Sequence, residues 1–142
     1  MPSDDYVCDS EVLYRSVPNQ PGIHYIPISG GYRVSRAAFE DRRGQPSVDR
    51  ARLCDNDPDK SKKGPTHLVV SLTALRVREI EGFSRTVDVV PDPCPPEDPD
   101  NPAHALITVD RPFDSKSQFD RFKKALAIVA DSNWEIPPPN DA

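Results

Sequence analysis

Apolar side chains at Leu68, Val70 and Leu72 alternate with His67, Val69 and Ser71, a period of two in which even the second set carries a valine. That pattern predicts a strand buried on both faces. Ala103, Ala105, Ile107 and Val109 alternate in the same way with His104, Leu106 and Thr108. They predict a second strand, at least half buried on each side. Ser84 to Val90 is a third, with Val87 and Val89 inward. Glu11 to Ser16 is a short first strand, because Val12, Leu13 and Tyr14 run into the breakers Pro18 and Pro21. Ile23 to Ile28 and Tyr32 to Ser35 flank Gly30-Gly31 and read as a hairpin. Pro27 lacks a backbone donor, so it places the first arm at a sheet edge or ends it early.

The period changes near the end of the chain. Phe119, Phe122, Leu126 and Val129 recur at helical spacing and predict an amphipathic helix over Lys116 to Asp131, with Asp120, Lys123 and Lys124 outside. Ser115 caps it, and Gln118 reaches back as in a capping box. Two segments are ambiguous. Ser47 to Cys54 reads as a two-turn helix capped by Ser47, with a strand ending at Ser47-Val48 as the alternative. Ser71 to Ile80 holds helical spacing loosely until Gly82 stops it. Glu40 to Pro46 and Cys54 to Pro65 are polar loops. Trp134 and Ile136 end the ordered chain ahead of Pro137-Pro138-Pro139. The fold class expected is α+β: a small mixed, mainly antiparallel sheet, a long C-terminal amphipathic helix and Pro-rich loops. Residues 1–10 are expected to be flexible, 11–136 to form one domain, and 137–142 to be a Pro-rich acidic tail.

Composition narrows this picture. A chain of 142 residues has room for one domain, and 17 Pro against 6 Gly keep its elements short. Between Pro91 and Pro102 stand six prolines with Asp92, Glu97, Asp98 and Asp100, four carboxylates that nearly account for the net charge of −5. An extended, polyproline-like surface loop is expected there. The acidic balance argues against nucleic acid as a partner and against anionic membranes. No apolar run reaches the roughly 20 residues of a spanning helix. Met1 to Ser10 lacks the basic and apolar regions of a secretory signal, so a cytoplasmic location is expected. Cys8, Cys54 and Cys94 are odd in number and widely spaced, as free thiols are.

No metal or cofactor is expected from the familiar motifs. Asp55, Asp57 and Asp59 alternate as in a calcium loop, but Lys60 and Thr66 stand where that loop needs Gly and Glu. Cys54, Cys94, His67 and His104 lack chelate spacing. Cys94 lies among acids that disfavour a thiolate, and Gly30-Gly31 is not a phosphate loop. What remains is a scattered polar set. Arg15 could hold a phosphate or carboxylate, His104 could serve as acid or base, and Ser35 completes this candidate catalytic group. Tyr14, Ser47, Asp49 and Asn101 are candidate binding residues. The plainer reading pairs Arg15 with Asp49, lets Asn101 fix the turn at Pro102 and makes His104 a hydrogen-bonded core residue.

Leu13-Tyr14-Arg15, Ser35-Arg36-Ala37-Ala38-Phe39, Ser47-Val48-Asp49 and Asn101-Pro102-Ala103-His104-Ala105 together resemble a group of small bacterial proteins of unassigned activity. The resemblance spans about Glu11 to Ala130, departs around Cys54 to Gly64, and implies a bacterial, intracellular origin. Two functional readings follow. The first is a non-catalytic accessory or protein-interaction module, gripped by a protein partner at its Pro-rich surfaces. The second is an enzyme handling a nucleotide or phosphorylated ligand, loosely similar to ADP-ribosyltransferase-like domains, although no catalytic Glu sits on a late strand.

Overall fold

A computed structural model describes residues 6–41, 44–131 and 133–139. Six strands build the main sheet: β1 (Val12–Val17), β4 (Ser47–Arg50), β5 (Leu68–Thr73), β6 (Val87–Pro91), β7 (His104–Val109) and β8 (Trp134–Ile136). Their order is β6-β7-β4-β1-β5-β8, and every neighbouring pair is antiparallel. β2 (Tyr25–Ile28) and β3 (Gly31–Val34) form a separate two-stranded hairpin. Pro27 therefore does lie on an edge strand, where its missing N–H withholds one donor from further pairing. The helices are α1 (Ala74–Arg78) and α2 (Lys116–Ala130). The expected α+β class and mainly antiparallel sheet are those observed.

The two faces of the sheet divide the core. Leu13 and Val17 of β1, Leu68, Val70 and Leu72 of β5 and Ile107 of β7 join one cluster with Phe122, Leu126, Ala127 and Ala130 of α2. Phe113 stacks on Phe119 at 5.5 Å and meets Phe122 at 5.1 Å, closing the N-terminal end of the helix. On the opposite face Tyr14, Val69 and Ala103 pack with Ala51 and Cys54 from a short 3-10 helix, Ala51–Cys54. β5 is apolar on both sides because it lies inside the sheet with a packed layer on each face. Val7 is fully buried and the Tyr6 carbonyl accepts from Arg50 Nη2 at 2.9 Å, so the packed chain starts before Glu11.

Local pattern misled in four places. Ser47 to Arg50 is a strand, not helix, because pairing to β1 and β7 at once outweighs the Ser47 cap; the 3-10 helix starts only at Ala51. Helix α1 is confined to Ala74–Arg78, since Ser71 and Leu72 are already paired across β1. The Pro-rich loop is not an extended polyproline run. Asp98 N–H donates to Pro95 O, Asn101 N–H to Asp98 O, and Cys94 N–H to Asn101 O at 2.8 Å, folding it into consecutive turns. Lys123 is not outside: its side chain is 2% exposed, its ammonium lies 3.0 Å from Asp120 Oδ1 and pairs with Glu40, and it covers the Phe119 ring. The α2 cap is as expected, with Ser115 Oγ accepting from Gln118 N–H at 3.1 Å. The Gln118 carbonyl reaches one residue further back, to Asp114 N–H. Trp134 to Ile136 adds an edge strand to β5, and Trp134 Nε1 donates to Tyr32 O, tying the hairpin to the sheet.

Candidate functional site

Register brings part of the predicted polar set together. Tyr14 stands opposite Asp49 across β1 and β4, and Asp49 stands opposite His104 across β4 and β7, so the three occupy one row on one face. β1 and β4 pair only at Leu13 and Tyr14 before they diverge. A crevice of about 250 Å³ opens there, and Tyr14, Arg15, Ser47 and Asp49 all line it. Ser16, Lys63 and His67 complete its polar wall.

Asp49 is 2% exposed and fully engaged. Its Oδ1 accepts from Asn101 Nδ2 at 2.7 Å; its Oδ2 accepts from Ser61 Oγ at 2.6 Å and Lys63 Nζ at 3.0 Å. Lys63 also reaches Asp98 Oδ2 at 3.2 Å. Burial pulls the Lys63 ammonium down, but Asp49 and Asp98 outweigh it and hold its pKa above the usual lysine value. Arg15 does not pair directly with Asp49. Its Nε donates to Ala38 O at 2.8 Å, Nη1 to Ser47 O at 2.7 Å, and Nη2 to Glu40 O at 3.0 Å. Burial pushes its pKa down to about 10, against the opposing pull of Asp41, Asp49 and Glu40. The guanidinium thus splices β4 to the 3-10 helix Arg36–Phe39 through backbone carbonyls.

Ser16 and His67 form the remaining pair, missed in the sequence. Ser16 Oγ takes Lys63 N–H at 3.0 Å and is hydrogen-bonded to His67 Nδ1 at 2.7 Å. Burial, then Lys62, holds the His67 pKa below the ordinary histidine value. Period-two alternation from Tyr14 could have placed Ser16 on this face; Lys63 and His67 come from a loop with no periodic signal.

Two predicted catalytic residues lie elsewhere. Ser35 donates its hydroxyl to Ile23 O and its N–H to His24 O, closing the base of the hairpin. His104 is 4% exposed, with Nδ1 at 3.1 Å from Asp92 O, and it opens onto a different pocket from the crevice. Asn101 touches the crevice only through Asp49. Arg15, Ser35 and His104 therefore do not converge, and each is engaged with the protein's own backbone.

A second concavity, about 490 Å³, runs between β3 and α2. Ile26, Ala127 and Ile128 supply its apolar surface, and Arg33, Arg36 and Lys124 its rim. Those three cations are exposed and make no ion pair among the described residues, whereas Asp131 Oδ1 is turned to Val34 N–H. Three of the seven large apolar residues exposed among the described ones, Ile26, Ile28 and Ile128, belong to the hairpin and to α2, and a fourth, Ile23, lies in the turn before β2. No helix among the described residues is long and apolar enough to cross a membrane. No family model, curated protein or solved structure matches the chain.

Proposed function

We propose that this domain is a non-catalytic interaction module that holds a short acidic peptide segment of a partner protein, with one or two apolar anchors, in the groove between the hairpin and α2. The observation carrying the proposal is charge complementarity: on a chain of net charge −5, three cations without an ion pair among the described residues rim a groove floored by exposed isoleucines. Apolar anchors would bury Ile26 and Ile128, while carboxylates meet Arg33, Arg36 and Lys124. A transient module suits a groove of this size. The Pro-rich loop offers less, since its turns bind it back to Asp49 through Asn101.

The alternative, an enzyme handling a phosphorylated ligand, draws support from the Arg15 and Lys63 cations in the crevice. It draws none from Ser35 or His104, which lie apart from them. Fluorescence polarisation with a labelled peptide of repeated Leu-Glu-Glu-Leu separates the readings. Micromolar binding, weakened about tenfold or more in Arg33→Glu and Lys124→Glu, is expected. Equal binding of a Leu-Lys-Lys-Leu peptide, or of the acidic peptide by both variants, would sink the proposal.

A further inference from the structure

We infer that the Pro-rich loop and the start of β7 form a binding site for a divalent cation of the zinc type, with His104, Glu97 and Asp92 as its protein ligands. One ligand-type atom from each of these residues lies within 4.8 Å of those of the other two. Tetrahedral zinc with bonds of about 2.0–2.2 Å places its ligand atoms roughly 3.4 Å apart, so modest side-chain closure completes the site. Glu97 is exposed and can turn without disturbing packing.

The imidazole supplies the second observation. His104 is 4% exposed, and its Nδ1 sits 3.1 Å from the Asp92 carbonyl oxygen, a group that only accepts. Nδ1 therefore donates, which leaves Nε2 for coordination. That nitrogen makes no hydrogen bond among the described residues, although His104 lines a pocket with Glu40, Asp41 and Glu97. A ring held by a backbone carbonyl at one nitrogen, with the other making no hydrogen bond among the described residues, is how metal-ligating histidines are oriented. Asp92 is fixed in turn: its N–H donates to His104 O at 2.9 Å, and its Oδ2 lies 3.2 Å from the same Nδ1. Among the described residues no lysine or arginine lines this pocket, so its carboxylates favour a dication. One imidazole with two carboxylates suits zinc or a neighbouring transition ion better than calcium, which takes oxygen alone.

The sequence hid this set because its members are not spaced as a chelate. The turns between Pro95 and Asn101 bring Glu97 back over His104. The site is independent of the peptide groove and stands or falls separately.

Calorimetric titration of the untagged full chain with zinc chloride tests it, beside absorption spectra of the cobalt-loaded protein. One zinc per chain is expected, with a four-coordinate cobalt spectrum. Glu97→Gln and Asp92→Asn should each weaken zinc at least about tenfold, with the melting temperature of the metal-free protein little changed in the exposed Glu97→Gln. Cys94→Ser, two residues from Asp92, should leave zinc affinity unchanged. Absence of binding, unaltered affinity in Glu97→Gln, or loss of binding in Cys94→Ser would each overturn the inference.

Discussion

Asn101 reads Asp49 and the chain beside it at once: its Nδ2 donates to Asp49 Oδ1 at 2.7 Å and to Asp98 Oδ2 at 2.9 Å, while its Oδ1 accepts from Ala103 N–H at 3.1 Å. One side chain thereby fastens the Pro-rich loop to a carboxylate buried in the sheet. Asn101→Ala removes one of the donors on which that carboxylate depends and unties the loop. A loss of about 1–3 kcal/mol in urea denaturation is expected, with faster amide exchange over residues 92–102. Unchanged stability and exchange would show that Ser61 and Lys63 hold Asp49 unaided.

Arg50 and Glu11 make a second buried contact of this kind. Arg50 Nε meets Oε1 at 2.9 Å and Nη2 meets Oε2 at 2.8 Å, with side-chain exposures of 1% and 6%. Glu11→Ala leaves the guanidinium buried without its carboxylate, and about 3–5 kcal/mol of stability should be lost. Replacing both residues by apolar ones should restore much of it. A single-variant loss below about 1 kcal/mol would contradict the buried pairing.

What could be read in advance, and what could not, follows from the range of the interactions. The two-sided strand β5, the edge position of Pro27 and the Ser115 cap each follow from neighbours a few residues apart, so pattern sufficed. Lys123 was placed outside because its burial depends on Glu40, distant in sequence. Arg15 looked like a free phosphate grip until Ala38, Glu40 and Ser47 carbonyls took its donors. The Tyr14–Asp49–His104 row needed the register of three strands, which no local signal contains. The groove depends on how the hairpin lies against α2, a purely tertiary matter.

Stability should fall in two stages on acidification. Burial, then Arg15, depresses the His24 pKa, and burial, then Lys62, that of His67, below the ordinary 6.5. The unfolded chain then binds more protons than the folded one, so the stability these rings contribute is present above 6.5 and lost as pH falls through their lowered values. Burial raises the Glu11 carboxyl, but Arg50 outweighs it and leaves the pKa below 4.5. Lys116 and Lys123 bring Asp120 down to about 2. A second decline is therefore expected from 4.5 towards 2. Melting temperature across this range checks both; a curve that rises below 6.5 would contradict the assigned histidine environments.

The three thiols should separate in reactivity. Cys94 is exposed, Cys8 half-buried and Cys54 buried, with burial, then Asp49, pushing the Cys54 pKa up to about 11. In native protein at neutral pH, iodoacetamide should label Cys94 first, and Cys54 only when the chain unfolds. Early labelling of Cys54, read by peptide mass spectrometry, would mean that the cluster under Tyr14 opens readily.

The groove is the centre of this account, and nitrogen-15 chemical-shift mapping of the full chain during titration with the Leu-Glu-Glu-Leu peptide tests it most directly. Saturable shifts confined to the amides of Ile26, Arg33, Arg36, Lys124 and Ile128, and absent in Arg33→Glu, are the expected result. No shifts, or shifts centred on Tyr14, Ser16 and His67 at the crevice, would contradict it.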